Sequence, residues 1–461
     1  MNYLIKKHNL FFIFLIIFAN FIFNKKLHAN ISLIREAQTE EFIDEICQPI
    51  FKIAGLDANN IKIYIVNDSS INAFVMGGQN IFVNTGLIQK FANPDVISGV
   101  IAHEVGHIAS SHLAKGSEIY NQNLQSSIIG YILGIGAMAM GQVDAGSAII
   151  LGSSHINNRM SLKYSRTQEE SADILAIEYL KKLQISSNGL LEIMQYFNQQ
   201  TQGFTEKINQ YELTHPISSS RILFIKNNNF IAKNNFKKHQ ELTKKLKNVQ
   251  AKLNGFLDNP EIAIKYLKNN DDSELITKAI LLHRLNRFDE SIKILDLLIK
   301  NNKNNGYLYE LKADLLFNQS SLSLSIINYK IAIKLLSKKA GIMSRINMAR
   351  AILQITENDK YLLNLAKENL QFSLKIEPDN LLIFKNLAII HEKLQEFGEA
   401  KLFLAEYHYL LNDFETAKKL AKASIEILEK CQNCQKNNDY QAKILRAKDL
   451  FEIETKEIKN N

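Results

Sequence analysis

Cysteine is scarce in this sequence: Cys47, Cys431 and Cys434 are all it has in 461 residues. Half a zinc ribbon cannot fill a tetrahedral site, so Cys431-x-x-Cys434 does not by itself make a metal module. With an odd count one thiol stays free or pairs elsewhere. In an oxidising compartment a local disulfide, or a link from Cys47 to the C-terminal region, is open. A strong charge of either sign is also missing. The formal charge is +8, and four of the lysines (Lys6, Lys7, Lys25 and Lys26) fall in the first 29 residues, which hold no acid; without them +4 remains. A balance that small excludes nucleic acid as the expected partner. The N-terminal apolar run, Leu10 to Phe23, is 14 residues, short of the roughly 20 a spanning helix needs. Disorder is excluded by a composition 46% hydrophobic and 22% charged. The length suggests about two or three domains.

What is present begins with a basic n-region, that short apolar run and Ala29 at a cleavage position. Together they read as a secretory signal over residues 1–29, with a retained anchor as the alternative because Leu27 is not small and Lys25-Lys26 intervene. Thr39 to Ala54 has Ile43, Ile46, Ile50 and Ile53 on one face of a helix that Pro49 should kink or divide. Ile61 to Val66 alternates like a strand. Asn72 to Met76 and Ile81-Phe82-Val83 flank Gly77-Gly78 as a hairpin or small antiparallel sheet. A helix then starts with Asn93 as cap, Pro94 at its first position and Asp95 in its first turn.

Ile128 to Leu151 is apolar and glycine-rich: a packed helical hairpin, or a segment touching membrane. An Asn/Lys-rich stretch from Lys226 to Lys238 marks a boundary. We expect a catalytic domain over 30–225, a linker and connecting helix over 226–260, and a helical domain over 261–455. Phe288…Ser291 and Leu322…Ser325 lie 34 residues apart, as do Leu363…Ala366 and Phe397…Ala400. A large residue followed three positions later by a small one, at that period, resembles tetratricopeptide repeats, with an insertion between the second and third units and a half-period step to Phe414…Ala417. Stacked helix pairs build an extended concave surface suited to polypeptide.

His103-Glu104-Val105-Gly106-His107 carries the chemistry. Two histidines four apart share a helix face, so both can ligate one Zn²⁺, while Glu104 between them can serve a water as general base. A catalytic zinc needs a third ligand and an open position. In Tyr164-Ser-Arg-Thr-Gln-Glu169-Glu-Ser-Ala-Asp173, a second expected helix, Glu169 completes a His₂Glu set for one zinc per chain. Asp173, one turn on, can hold the spare N–H of a ligand histidine.

The pair His-Glu-x-Gly-His and Ser-Arg-x-x-Glu-x-x-Ala-Asp resembles the HtpX/BepA/CAAX-prenyl-protease family of gluzincin metallopeptidases. Asn72-Ala73-Phe74 with Gly77-Gly78, and Thr214-His215-Pro216…Arg221, resemble further segments of it, and Met76 departs from its usual small residue or proline. A signal, a peptidase and repeats together are similar to the family's periplasmic branch. The resemblance implies a periplasmic enzyme, in solution or membrane-associated, degrading unfolded or misassembled envelope proteins in outer-membrane quality control. The repeats are expected to recruit those clients and to meet the assembly machinery.

The expected fold is α+β: a mostly helical zincin-type domain with a small sheet, then an all-α solenoid. Ile81, Phe82 and Val83 are expected to form an edge strand that takes up substrate by strand addition. His215, before Pro216 and a polar Ser218-Ser219-Ser220 stretch expected to be mobile, has two functional readings. It either donates to the oxyanion or occupies the zinc in the resting enzyme as a gate; we favour the gate. The rival functions are a chaperone-like binding protein with little proteolysis and a membrane-embedded protease.

Overall fold

The computed structural model describes residues 32–76, 79–110, 164–201, 211, 214–232, 236–268, 271–430 and 438–453. The signal segment, the stretch from Ile128 to Leu151 and the Cys431/Cys434 pair lie outside them. The architecture is mostly helical with one four-stranded sheet, followed by a helical solenoid.

Helix α1 (Ala37–Ile53) opens on Glu36, whose carboxylate accepts the backbone N–H groups of Gln38 and Thr39. Ile43, Ile46 and Ile50 are buried as the periodicity predicts. Pro49 does not divide the helix. One missing N–H removes one hydrogen bond, whereas the buried face, with Phe42 and Phe51 beside the isoleucines, fixes the helix to the core. Cys47 is buried in that face, a free thiol among the described residues.

The strands β1 (Leu33–Ile34), β2 (Ile63–Val66), β3 (Ala73–Met76) and β4 (Asn80–Asn84) lie in the order β1-β2-β4-β3. β3 and β4 form the antiparallel hairpin, and β4 runs parallel to β2 with Ile65 opposite Val83. This corrects one expectation: Ile81, Phe82 and Val83 sit on a central strand, hydrogen-bonded on both sides, and have no free edge. The side chains show why. All three are buried, and the Phe82 ring is flanked by Tyr64 on one side and Phe74 on the other, at 5.0 and 5.1 Å between centroids. The outer strand on that side is β3, and it packs beside the next long helix.

That helix, α3 (Pro94–Ala109), is capped as its sequence predicts, with Asn93 Oδ1 accepting the Asp95 N–H at 3.0 Å. Helix α4 (Arg166–Lys182) opens on a capping box between Ser165 and Gln168. The two helices cross closely: a Cβ on Gly106 would lie 2.9 Å from the Ala172 carbonyl oxygen. Glycine at 106 thus brings the ligand faces of α3 and α4 together. Helices α5 (Asn188–Thr201) and α6 (Ser219–Asn227) close the domain. Ser218, expected in a mobile stretch, instead caps α6 by accepting the Arg221 N–H.

Helix α7 (Phe236–Leu257) follows the Asn/Lys-rich stretch. Its Leu242, Leu246, Val249 and Leu253 join the same hydrophobic core as α1 and α3, while it also packs on α8 (Asp272–Arg284), the first helix of the solenoid. The remaining helices are α9 (Phe288–Asn301), α10 (Gly306–Asn318), α11 (Leu322–Leu335), α12 (Gly341–Ile355), α13 (Lys360–Leu374), α14 (Leu381–Lys393), α15 (Phe397–Leu410), α16 (Phe414–Leu428) and α17 (Asn438–Phe451). The large-to-small motif marks the second helix of each pair. Its small residue is where that helix crosses the first: Ser291 Oγ donates to Ala279 O and Ser325 Oγ to Ala313 O. Left-handed residues Asn286, Ser320 and Gln395 make the turn within three of the pairs, and Asn412 repeats it between α15 and α16. Reuse of the same turn one helix later accounts for the half-period step to Phe414.

The solenoid meets the sheet at the end away from β3. Arg35, just after β1, pairs with Glu377 at 2.8 Å, and Lys62, just before β2, with Asp379 at 3.1 Å. Lys339 reaches Asp44 of α1 at 3.1 Å.

Candidate zinc site

Three elements converge on one buried point. His103, Glu104 and His107 come from α3, Glu169 and Asp173 from α4, and His215 from the turn before α6; all six side chains are fully buried. One ligand-type atom from each of His103, His107, Glu169 and His215 lies within 4.8 Å of the others. The tightest three are His103 Nε2 to His107 Nε2 at 3.2 Å, His103 Nε2 to Glu169 Oε2 at 3.4 Å, and His107 Nε2 to Glu169 Oε1 at 3.3 Å. Zinc bonds of about 2.0–2.1 Å in a tetrahedron give ligand-to-ligand edges of about 3.3 Å. These residues therefore fit one zinc ion.

The charges fit it as well. Around the cluster, the carboxylates of Glu104, Glu169 and Asp173 face one guanidinium, that of Arg221. Against the effect of burial, Asp173 and Glu169 raise the His103 imidazole to about 10 without an ion. With the imidazoles neutral, as ligands must be, the carboxylates leave a deficit of positive charge that a divalent cation offsets. Burial alone would raise the Glu169 and Asp173 carboxyls. Hydrogen bonds from the histidines at Glu169, and from Arg221 and His103 at Asp173, instead hold both below the usual range. Burial also pushes the His107 imidazole down to about 3, keeping it neutral as a ligand must be.

Asp173 Oδ1 lies 2.9 Å from His103 Nδ1, the nitrogen turned away from the cluster. Arg221 grips Asp173 through Nε at 2.7 Å and Nη2 at 2.9 Å, and sets Nη1 2.6 Å from Glu169 Oε2 and 2.9 Å from the Pro216 carbonyl. Sequence reasoning places Arg221 only in a family segment; no local spacing signals that fork. It also passes over Tyr164, whose ring stacks on His107 at 3.7 Å between centroids. Among the described residues Glu104 has no hydrogen-bond partner on either carboxylate oxygen, and the His215 Nε2 is 3.4 Å from one of them. Burial holds its carboxyl above the usual range, the direction that suits a base working near neutral pH. When bound, zinc polarises a carbonyl and acidifies a water.

Ligand spacing, charge deficit and the partnerless carboxylate agree on one class of protein, the zinc metallopeptidases. Residues 37–229 match the model of Peptidase family M48. Among its relatives is the beta-barrel assembly-enhancing protease of Yersinia pestis, 23% identical over 341 residues, covering 72% of this chain and 68% of that one. The protein of the same name from Escherichia coli K12 is 22% identical over 203 residues, which span 44% of this chain and 41% of its own length. Metalloprotease LoiP of Escherichia coli K12 is 30% identical over 136 residues, 28% of this chain and 48% of that one. The yeast Tom70 crystal structure aligns with 88% of this chain and 75% of its own at a TM-score of 0.35 and 13% identity, too loose to carry an argument.

Proposed function

We propose that this chain is an exported zinc metalloendopeptidase of the periplasm that degrades unfolded or misassembled envelope proteins during outer-membrane protein assembly. The observation that carries the reading is Glu104, a buried carboxylate that accepts no hydrogen bond from the described residues, beside three ligand atoms at zinc spacing. The name shared by the Yersinia pestis and Escherichia coli relatives supports β-barrel proteins as the client class. Its parts are a peptidase unit over 30–225, a connecting segment over 226–260 and a recruiting solenoid over 261–455.

In the proposed mechanism, an extended client pairs with the outer strand β3, which takes over the substrate-binding role expected of Ile81–Val83. His103, His107 and Glu169 would hold the metal, and Asp173, fixed by Arg221, would keep the proton on His103 Nδ1. Glu104 takes a proton from the attacking water and delivers it to the departing amine. His215 occupies the cluster at rest and must leave for the client's carbonyl to enter. Its burial and its 3.0 Å approach of Nδ1 to Glu169 support that gate over an oxyanion donor.

The full chain loaded with zinc tests this on a purified outer-membrane β-barrel protein, presented unfolded and folded. Cleavage of the unfolded form alone, abolished by chelation, is expected. Binding of the unfolded form without cleavage would instead identify a chaperone-like protein.

A further inference from the structure

His215 does not sit on the ligand cluster unaided. Its ring lies on the face of Tyr211 at 4.7 Å between centroids and 24° between planes. The opposite face of Tyr211 is covered by Phe197, again at 4.7 Å and with the rings 11° apart. Phe197 and Tyr211 are fully buried members of the hydrophobic core. The same residue holds the backbone: His215 N–H donates to the Tyr211 carbonyl at 2.8 Å, and Thr214 Oγ1 donates to it at 3.1 Å. On the other side His215 meets Tyr164 at 5.3 Å, and Tyr164 lies on His107. Phe197 leaves Tyr211 no room to recede, so His215 can leave the cluster only by leaving the Tyr211 ring.

We propose that Tyr211 is a positioning residue that keeps His215 on the metal cluster and so sets how often the site opens. This rests on reading His215 as a resting-state ligand. A stacked aromatic pair shifts an equilibrium by about two- to twelve-fold. Loss of the ring should shift the seated-to-released ratio of His215 by that factor, with the metal still held by His103, His107 and Glu169.

The test uses the full chain with Tyr211→Leu, Tyr211→Phe, Phe197→Leu and His215→Ala, each loaded with Co²⁺ for visible absorption and with zinc for casein turnover. Tyr211→Leu should move the cobalt spectrum towards that of His215→Ala and raise basal turnover about two- to twelve-fold, while Tyr211→Phe keeps the parent spectrum and rate. Phe197→Leu, which removes the backing ring without touching His215, should show a smaller shift of the same sign, and decides the matter if Tyr211→Leu does not fold. Parent-like spectra and turnover in both leucine variants, with His215→Ala altered, would overturn the role of Tyr211 and leave the gate standing. A Tyr211→Phe variant as altered as Tyr211→Leu would assign the effect to the hydroxyl and also overturn it. An unchanged cobalt spectrum in His215→Ala would remove the gate itself, and this inference with it.

Discussion

Replacing Arg221 by methionine keeps the volume and deletes the charge that joins Asp173 to Glu169. Its guanidinium is 1% exposed and makes four contacts of 2.6–2.9 Å, two of them a fork onto Asp173. Deleting one partner of a buried pair leaves the other uncompensated, at about 3–5 kcal/mol. Here two carboxylates are stranded, and bound zinc still serves Glu169, so the loss should be largest in the metal-free protein. The second consequence is for the ion. Asp173 would no longer be clamped against His103 Nδ1, and losing such an outer partner weakens metal affinity about 10–100-fold. Chelator competition gives the affinity, and thermal melting with and without zinc gives the stability. A variant that keeps parental zinc affinity and melts with the parent in both states would refute the orienting role. Arg221→Lys is the sharper control, because a point charge cannot reproduce the fork and should recover only part of either loss.

Two further outcomes follow from the junction between the domains. Burial raises the Glu310 carboxyl well above its usual range, with Lys252 opposing and Asp314 and Glu36 adding to the rise, and Asp314 is raised by burial too. A carboxyl raised in the fold stabilises fully below its unfolded value of about 4 and loses that contribution as pH climbs to the folded value. Melting temperature should therefore fall from pH 5 to pH 8, and Glu310→Gln should flatten the fall; an identical slope in the variant would refute the assignment. Truncation at Lys238 removes Leu242, Leu246, Val249 and Leu253 from the core. At about 1.5–3 kcal/mol each, their loss rivals a whole domain's stability of about 5–15 kcal/mol. A fragment ending at Lys238 should not fold, while one ending at Asp258 should fold, cleave a short peptide and process unfolded barrels poorly. Circular dichroism and peptide hydrolysis check both, and a well-folded fragment ending at Lys238 would contradict the packing.

What was legible in the sequence was local. Asn93-Pro94-Asp95 announces α3 because a cap, a fixed φ and a first-turn acid act within one turn, and the i, i+4 spacings of His103/His107 and Glu169/Asp173 are likewise properties of single helices. The solenoid period was legible for the same reason, since each turn and crossing recurs in sequence. Strand order was not. Ile81-Phe82-Val83 reads the same on an edge as in the centre, and only the distant pairing with β2 decides it. Arg221 acts across 48 residues on Asp173, so no spacing rule reaches it. For α7 a signal was present: Leu242, Leu246, Val249 and Leu253 make a helical stripe, hidden beside an Asn/Lys-rich stretch that resembles a linker.

The central claim is that Glu104 does chemistry at a metal held by other residues. Glu104→Gln changes one atom of a side chain that is not among the grouped ligand residues, so zinc should stay near one ion per chain while proteolysis is lost. Metal analysis and casein degradation on the same preparation, parent against variant, make the measurement. Full zinc with abolished turnover is the predicted result. Turnover near that of the parent, or loss of the metal, would contradict the account.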